Sequence, residues 1–137
     1  MQAAAKGMIS LGLSPSNGVG IMGHNNPYWF ISSLGAIFAG GISCGIYTTN
    51  SASTIKYITQ QVPLDLMVVQ NAKMLSSLLK NEPSICDVVK KFILMEEHHK
   101  KAFNESENIL TWKVHLWGSE TDQFYFTKTR QFCFLLQ

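Results

Sequence analysis

Apolar positions in this chain come in short blocks, and glycine, proline or asparagine stands between one block and the next. Residues 2–13, QAAAKGMISLGL, space Ala, Met, Ile and Leu at mixed helical intervals, which predicts a helix ending near Gly12. Ser14-Pro15-Ser16-Asn17-Gly18 reads as a turn, and Val19–Met22 as a short buried strand. Asn26 is placed to cap a helix that Pro27 opens, since proline has no N–H to lose at a first helical position. From Pro27 to Ala39 the apolar residues Trp29, Phe30, Ile31, Leu34, Ile37 and Phe38 cover most of the helix circumference. That coverage predicts a largely buried helix, with Trp29, Phe30, Leu34 and Phe38 in the core.

The alternation continues downstream. Gly40-Gly41 ends the helix, and Ile42–Thr48 reads as a second buried strand. Asn50 or Ser51 caps a helix with Ile55, Ile58 and Val62 on one face, stopped at Pro63. Asp65–Val69 is a strand, Asn71 caps a helix carrying Leu75, Leu78 and Leu79, and Val88–Met95 is a further strand after Pro83. Residues 96–108 are polar and read as a surface loop. Thr111 is placed to cap a short helix through Leu116, closed by Gly118. Residues 124–137 are apolar at both ends and lack a matching face, so they are expected to pack poorly. Strands alternating with helices of this length predict an α/β fold with a mostly parallel sheet.

Charge sharpens this picture. The net charge of +2 is too balanced to argue for nucleic acid. Its distribution says more: no Asp, Glu, Lys or Arg occurs from Gly7 to Ile55. The first third of the chain therefore reads as core. Cys44, Cys86 and Cys133 are odd in number and have no CxxC spacing, so they read as buried or incidental thiols. The N-terminus lacks the long apolar run of a secretory signal, which leaves the sequon at Asn104-Glu105-Ser106 without a route to modification.

Candidate chemistry is sparse. Gly18, Gly20 and Gly23 match GxGxxG, but they follow a helix and lie on the strand itself, and no acidic residue stands about twenty positions on. A dinucleotide site is therefore disfavoured. Residues 30–47 are uncharged and reach the lower length limit for a membrane span, but Ser32, Ser33, Ser43 and the Gly40-Gly41 break favour a helix followed by a strand. Glu96, Glu97, His98 and His99 lack metal-ligand spacing and read as a solvated loop. No serine sits in a GxSxG setting, and no phosphate-loop lysine motif occurs. His24 follows a predicted strand, where α/β sites form, but is read first as a hydrogen-bonded loop histidine; were the chain to prove active, His24 and the Tyr47-Thr48-Thr49 loop, at predicted strand ends, would be the first places to mutate.

The string GVGIMGHNNPYWFISSLGAIFAGGISCGIYTTN, Gly18 to Asn50, resembles the bubblegum-type long-chain acyl-CoA synthetases of the adenylate-forming superfamily. The resemblance is sharp over residues 18–51 and looser to the Thr111-Trp112 pair. It implies residues 1–118 as a partial N-terminal AMP-binding domain and 119–137 as a divergent tail, from a truncated isoform or an imperfect gene model. It also implies fatty-acid activation with ATP and Mg2+ through an acyl-adenylate, then transfer to CoA. Long-chain fatty acid, ATP and CoA are the implied partners. The implied location is the cytoplasm or the periphery of the endoplasmic reticulum membrane. The family's phosphate loop, acidic ribose contact and C-terminal lysine domain have no counterpart in this sequence. No catalytic, cofactor-binding or metal residue is therefore assigned, and the chain by itself is expected to be inactive and to hold none of these cofactors. The runner-up reading is a small, non-catalytic membrane-associated protein, and a third is a binding module built from a ligase remnant.

Overall fold

The computed structural model describes residues 2–96, 108–113 and 125–129. Helix α1 spans Gln2–Ser10 and strand β1 Gly18–Met22; α2 (Pro27–Phe38), β2 (Ile42–Ile46), α3 (Ala52–Gln61) and β3 (Leu64–Val69) follow. Next come α4 (Ala72–Asn81), a short α5 (Ile85–Val88), β4 (Lys91–Leu94), β5 (Ile109–Lys113) and β6 (Tyr125–Thr129). The strands form one sheet in the order β2-β1-β3-β4-β5-β6. The first five run parallel, and β6 pairs antiparallel with β5. The α/β, mostly parallel architecture expected from the sequence is the one observed.

Side-chain alternation divides the strands between two cores. Met22, Met67, Val69, Phe92 and Leu94 point to the α3–α4 side, with Ile55, Leu75 and Leu79. Val19, Ile21, Leu66, Val68 and Ile93 point to the other side, with Ala4, Met8 and Ala36. Both faces of the central strands are covered, so β1 and β3 are buried along their whole length, and the one charge, Asp65 in β3, is paired. Gly18 and Gly20 of the GxGxxG string sit on β1, where a side chain would crowd Leu64, and Gly23 lies just beyond the strand. A Cβ on Gly18 would come within 2.5 Å of Leu64 Cδ2, and one on Gly20 within 2.9 Å of Leu64 Cδ1.

Helix starts follow the expected chemistry. Asn26, Ser51 and Asn71 each accept a hydrogen bond from the N–H three residues on. Gly40 turns the chain at φ 78°, a left-handed value that suits glycine, and so separates α2 from β2. Residues 30–47 are thus a helix, a turn and a strand. Among the described residues no helix is long and apolar enough to cross a membrane.

Five expectations need correction. The second strand is β2, Ile42–Ile46, and it is not buried: it ends the strand order, and only Ile46 of its residues is buried. Phe30 and Phe38 are 56% and 62% exposed, and Trp29 and Leu34 are half-buried. The buried residues of α2 are the small ones, Ser32, Gly35 and Ala36, because α2 lies close against α1: a Cβ on Gly35 would stand 2.9 Å from that of Ala4. Val88 closes α5 instead of opening a strand, so β4 begins at Lys91. Thr111 lies within β5 and caps no helix. Within β5, Leu110 and Trp112 alternate with Thr111 and Lys113, the period-two pattern of a strand. Within the tail, the backbone of Tyr125–Thr129 does find a partner, in β5. The remainder of 130–137, with Cys133, lies outside the described residues, as do Glu97, His98, His99 and the Asn104 sequon.

Candidate functional site

Parallel sheets present loops and helix N-termini at the carboxyl ends of their strands, and ligands gather there. At that end, β1 runs into Gly23-His24-Asn25 and β2 into Tyr47-Thr48-Thr49. The structure brings these two loops together. A groove of about 560 Å³ lies between them, lined by His24, Trp29, Ile46, Tyr47 and Thr48. Thr48 also borders a second, smaller hollow of about 310 Å³ beside Ser51, Met74 and Asn81.

His24 is held by a chain of polar groups across three strand ends. Gln70, just after β3, accepts from the His24 backbone N–H at 2.9 Å and lies 3.0 Å from His24 Nδ1 through the same oxygen. Its amide nitrogen donates to Glu96 at 2.9 Å, just beyond β4. With the nitrogen committed to Glu96, the Gln70 oxygen is an acceptor only. In the neutral ring Nδ1 therefore carries the proton, and Nε2 keeps its lone pair. Asn26 ties the next turn down, accepting from the Trp29 N–H at 2.9 Å while its amide reaches Met95 Sδ at 3.6 Å. Glu96 thus leaves the imagined Glu96–His99 metal cluster and becomes a support for His24, a role its place in a polar run did not reveal.

The groove can bind and orient; the chemistry of bond breaking is another matter. Trp29 and Tyr47 offer ring faces, Tyr47 at 79% exposure, and His24 offers one acceptor nitrogen. None of the groove's lining residues is a lysine or arginine to meet a triphosphate. Among the described residues no three His, Cys, Asp or Glu side chains are grouped to hold a metal ion. The residues present thus fit neither a magnesium ion nor the phosphates of ATP. On β2, burial pushes the Cys44 thiol above its ordinary pKa, away from the thiolate form a nucleophile needs.

The opposite end of the sheet carries the other buried polar centre. Burial of Asp65 by itself raises its pKa, but Lys90, the Ser14 N–H, and the Asn17 and Ser14 side chains outweigh that and hold it below the ordinary carboxylate value. Lys90 Nζ stands 2.7 Å from Asp65 and the Ser14 N–H donates at 2.7 Å. These bonds pin the α1–β1 turn to β3 and to the approach to β4, far from the groove.

The chain shares its fold with part of several CoA ligases of known structure. The chain superposes on acetoacetyl-CoA synthetase from Streptomyces lividans with a TM-score of 0.66 at 14% identity, covering 92% of this chain and 20% of that one. It superposes on the anthranilate CoA ligase AuaEII with a TM-score of 0.65 at 15% identity, covering 85% and 26%. By sequence, residues 1–127 match the family described as AMP-binding enzyme, and the chain belongs to that family. It is 43% identical over 110 residues to the long-chain-fatty-acid–CoA ligase ACSBG2 of Xenopus laevis, and 44% identical over 77 residues to ACSBG1 of Homo sapiens. The first match covers 80% of this chain and 14% of the relative; the second covers 56% and 11%. The chain thus spans about one-seventh of the length of the Xenopus relative.

Proposed function

We propose that this chain is the first α/β layer of a long-chain fatty-acid–CoA ligase and serves as scaffold, without ligase activity by itself. The observation that carries this is the groove at the ends of β1 and β2: it is shaped, supported by the His24–Gln70–Glu96 chain, and free of phosphate-binding cations. Relatives whose names state the fatty-acid–CoA ligase activity match over the same residues, which supports the substrate class. In such a ligase the carboxylate must attack an activated phosphate, and ATP supplies that leaving group when bound. The residues of this chain would form one wall of the chamber and position the loops. Holding reactants in line is worth about 7–11 kcal/mol, and that contribution is missing where only one wall is present.

The test is pyrophosphate release by the purified chain with ATP, magnesium and a long-chain fatty acid. The expected rate equals that of a heat-killed sample. Release above that background, dependent on the fatty acid, would overturn the proposal.

A further inference from the structure

Gln70 lies outside the groove but holds the histidine that lines it. The orientation of its amide is fixed twice over. The His24 backbone N–H can only donate, and it meets the Gln70 oxygen at 2.9 Å. The ionised Glu96 carboxylate can only accept, and it meets the Gln70 nitrogen at 2.9 Å. A flipped amide would satisfy neither neighbour, so the oxygen faces His24 Nδ1 at 3.0 Å. Nδ1–H donates to that oxygen, and the neutral ring keeps a lone pair on Nε2. Around His24 the groove is aromatic and uncharged. The Trp29 ring lies over β2, where a Cβ on Gly45 would stand 3.4 Å from Trp29 Cζ2. Tyr47 is exposed beside it, Thr48 adds a hydroxyl, and no lining residue is Asp, Glu, Lys or Arg.

We infer that Gln70 is a positioning residue, and that through His24 it makes the groove selective for a neutral aryl ligand that donates an N–H, such as an aromatic amide. The inference rests on the polar chain and holds whether or not this chain is a layer of a ligase. A lone pair on Nε2 accepts from an N–H and turns away another acceptor. An aryl carboxylate brings acceptor oxygens and a charge, and no lysine or arginine lines the groove to receive it. Trp29 and Tyr47 offer an aryl ring two aromatic partners, and the Thr48 hydroxyl can donate to an amide carbonyl. With the proton on Nε2 instead, the same groove would prefer an acceptor. Gln70 thus sets the sign of the selectivity, and Glu96, one bond further out, keeps Gln70 from turning.

Nitrogen-15 NMR of the full 137-residue chain, at a pH where the ring is neutral, reads the tautomer. His24 Nδ1 should carry the proton and Nε2 should be bare. Benzamide should shift the Nε2 resonance saturably. It should bind about tenfold more tightly than N,N-dimethylbenzamide, which lacks the donor, and than benzoate. Gln70→Leu should free the proton to move to Nε2 and erase the preference for benzamide, with circular dichroism unchanged. Gln70→Glu combined with Glu96→Gln keeps an acceptor toward His24 and should restore both the tautomer and the preference. If Gln70 were merely structural, Gln70→Leu would move neither, and that result overturns the inference. Should Gln70→Leu fail to fold, the parent chain decides by itself. A parent chain with Nε2 protonated overturns the inference, as does equal binding of the two amides, tighter binding of benzoate, or no binding of benzamide.

Discussion

On α2, size and burial run opposite to intuition. Ser32, Gly35 and Ala36 face the protein, and Phe38 faces outward. Phe38→Ala should therefore change stability by less than about 1 kcal/mol, whereas Phe92→Ala, in the core between β4 and the α3–α4 layer, should cost about 3–5 kcal/mol. Urea unfolding of the two variants checks this; equal costs would mean that α2 is seated differently. Asp65 gives a second test at this scale. Its pKa is lowered on folding, so its stabilisation is present above the ordinary carboxylate pKa of about 4 and is lost as pH falls through the lower, folded value. Asp65→Asn should flatten the acid limb of the stability–pH curve and cost about 1–3 kcal/mol at neutral pH by weakening the hold on the Ser14 N–H. A curve identical to that of the parent chain would contradict the assignment. Glu82 shifts in the same direction, through hydrogen bonds from Lys56 and Ser84, but both partners are partly open to solvent, where the pair contributes little.

At the scale of elements, the punctuation was legible. Asn26-Pro27, Asn71 and Gly40-Gly41 act locally, through one cap bond or one left-handed turn, and a local cause can be read from neighbours in sequence. Asn71→Ala should cost about 1 kcal/mol through loss of the bond to the Met74 N–H, measured by thermal or urea unfolding. No loss would show the cap to be incidental. What could not be read was which apolar face packs inward, since hydropathy alone does not distinguish a buried face from an exposed one. That is why the aromatic strip on α2 was assigned to the core. Val88-Val89 mimicked a strand because β-branched residues suit strands, yet the turn after Pro83 closes as α5. Threonine suits a helix cap as well as a strand, so Thr111 alone does not mark β5; the alternation across Ile109–Lys113 does. The groove was half-legible. His24 and Tyr47–Thr49 were marked by their places at strand ends, but Gln70 and Glu96 carry no motif, and only the register of β1, β3 and β4 brings them together.

For the whole molecule, the reading proposed above makes this chain a layer whose loops complete a site built largely by other segments of a ligase. Catalysis by electrostatic preorganisation needs donors fixed around the reacting group from several sides. One wall alone orients but does not transform. If the layer is a working scaffold, its sequence should substitute for that of a relative. The direct test replaces the 110 matched residues of the Xenopus laevis ligase with the corresponding segment of this chain and measures acyl-CoA formation from a long-chain fatty acid. The chimera should retain fatty-acid-dependent acyl-CoA formation. A chimera that folds and remains soluble yet forms no acyl-CoA would contradict the account.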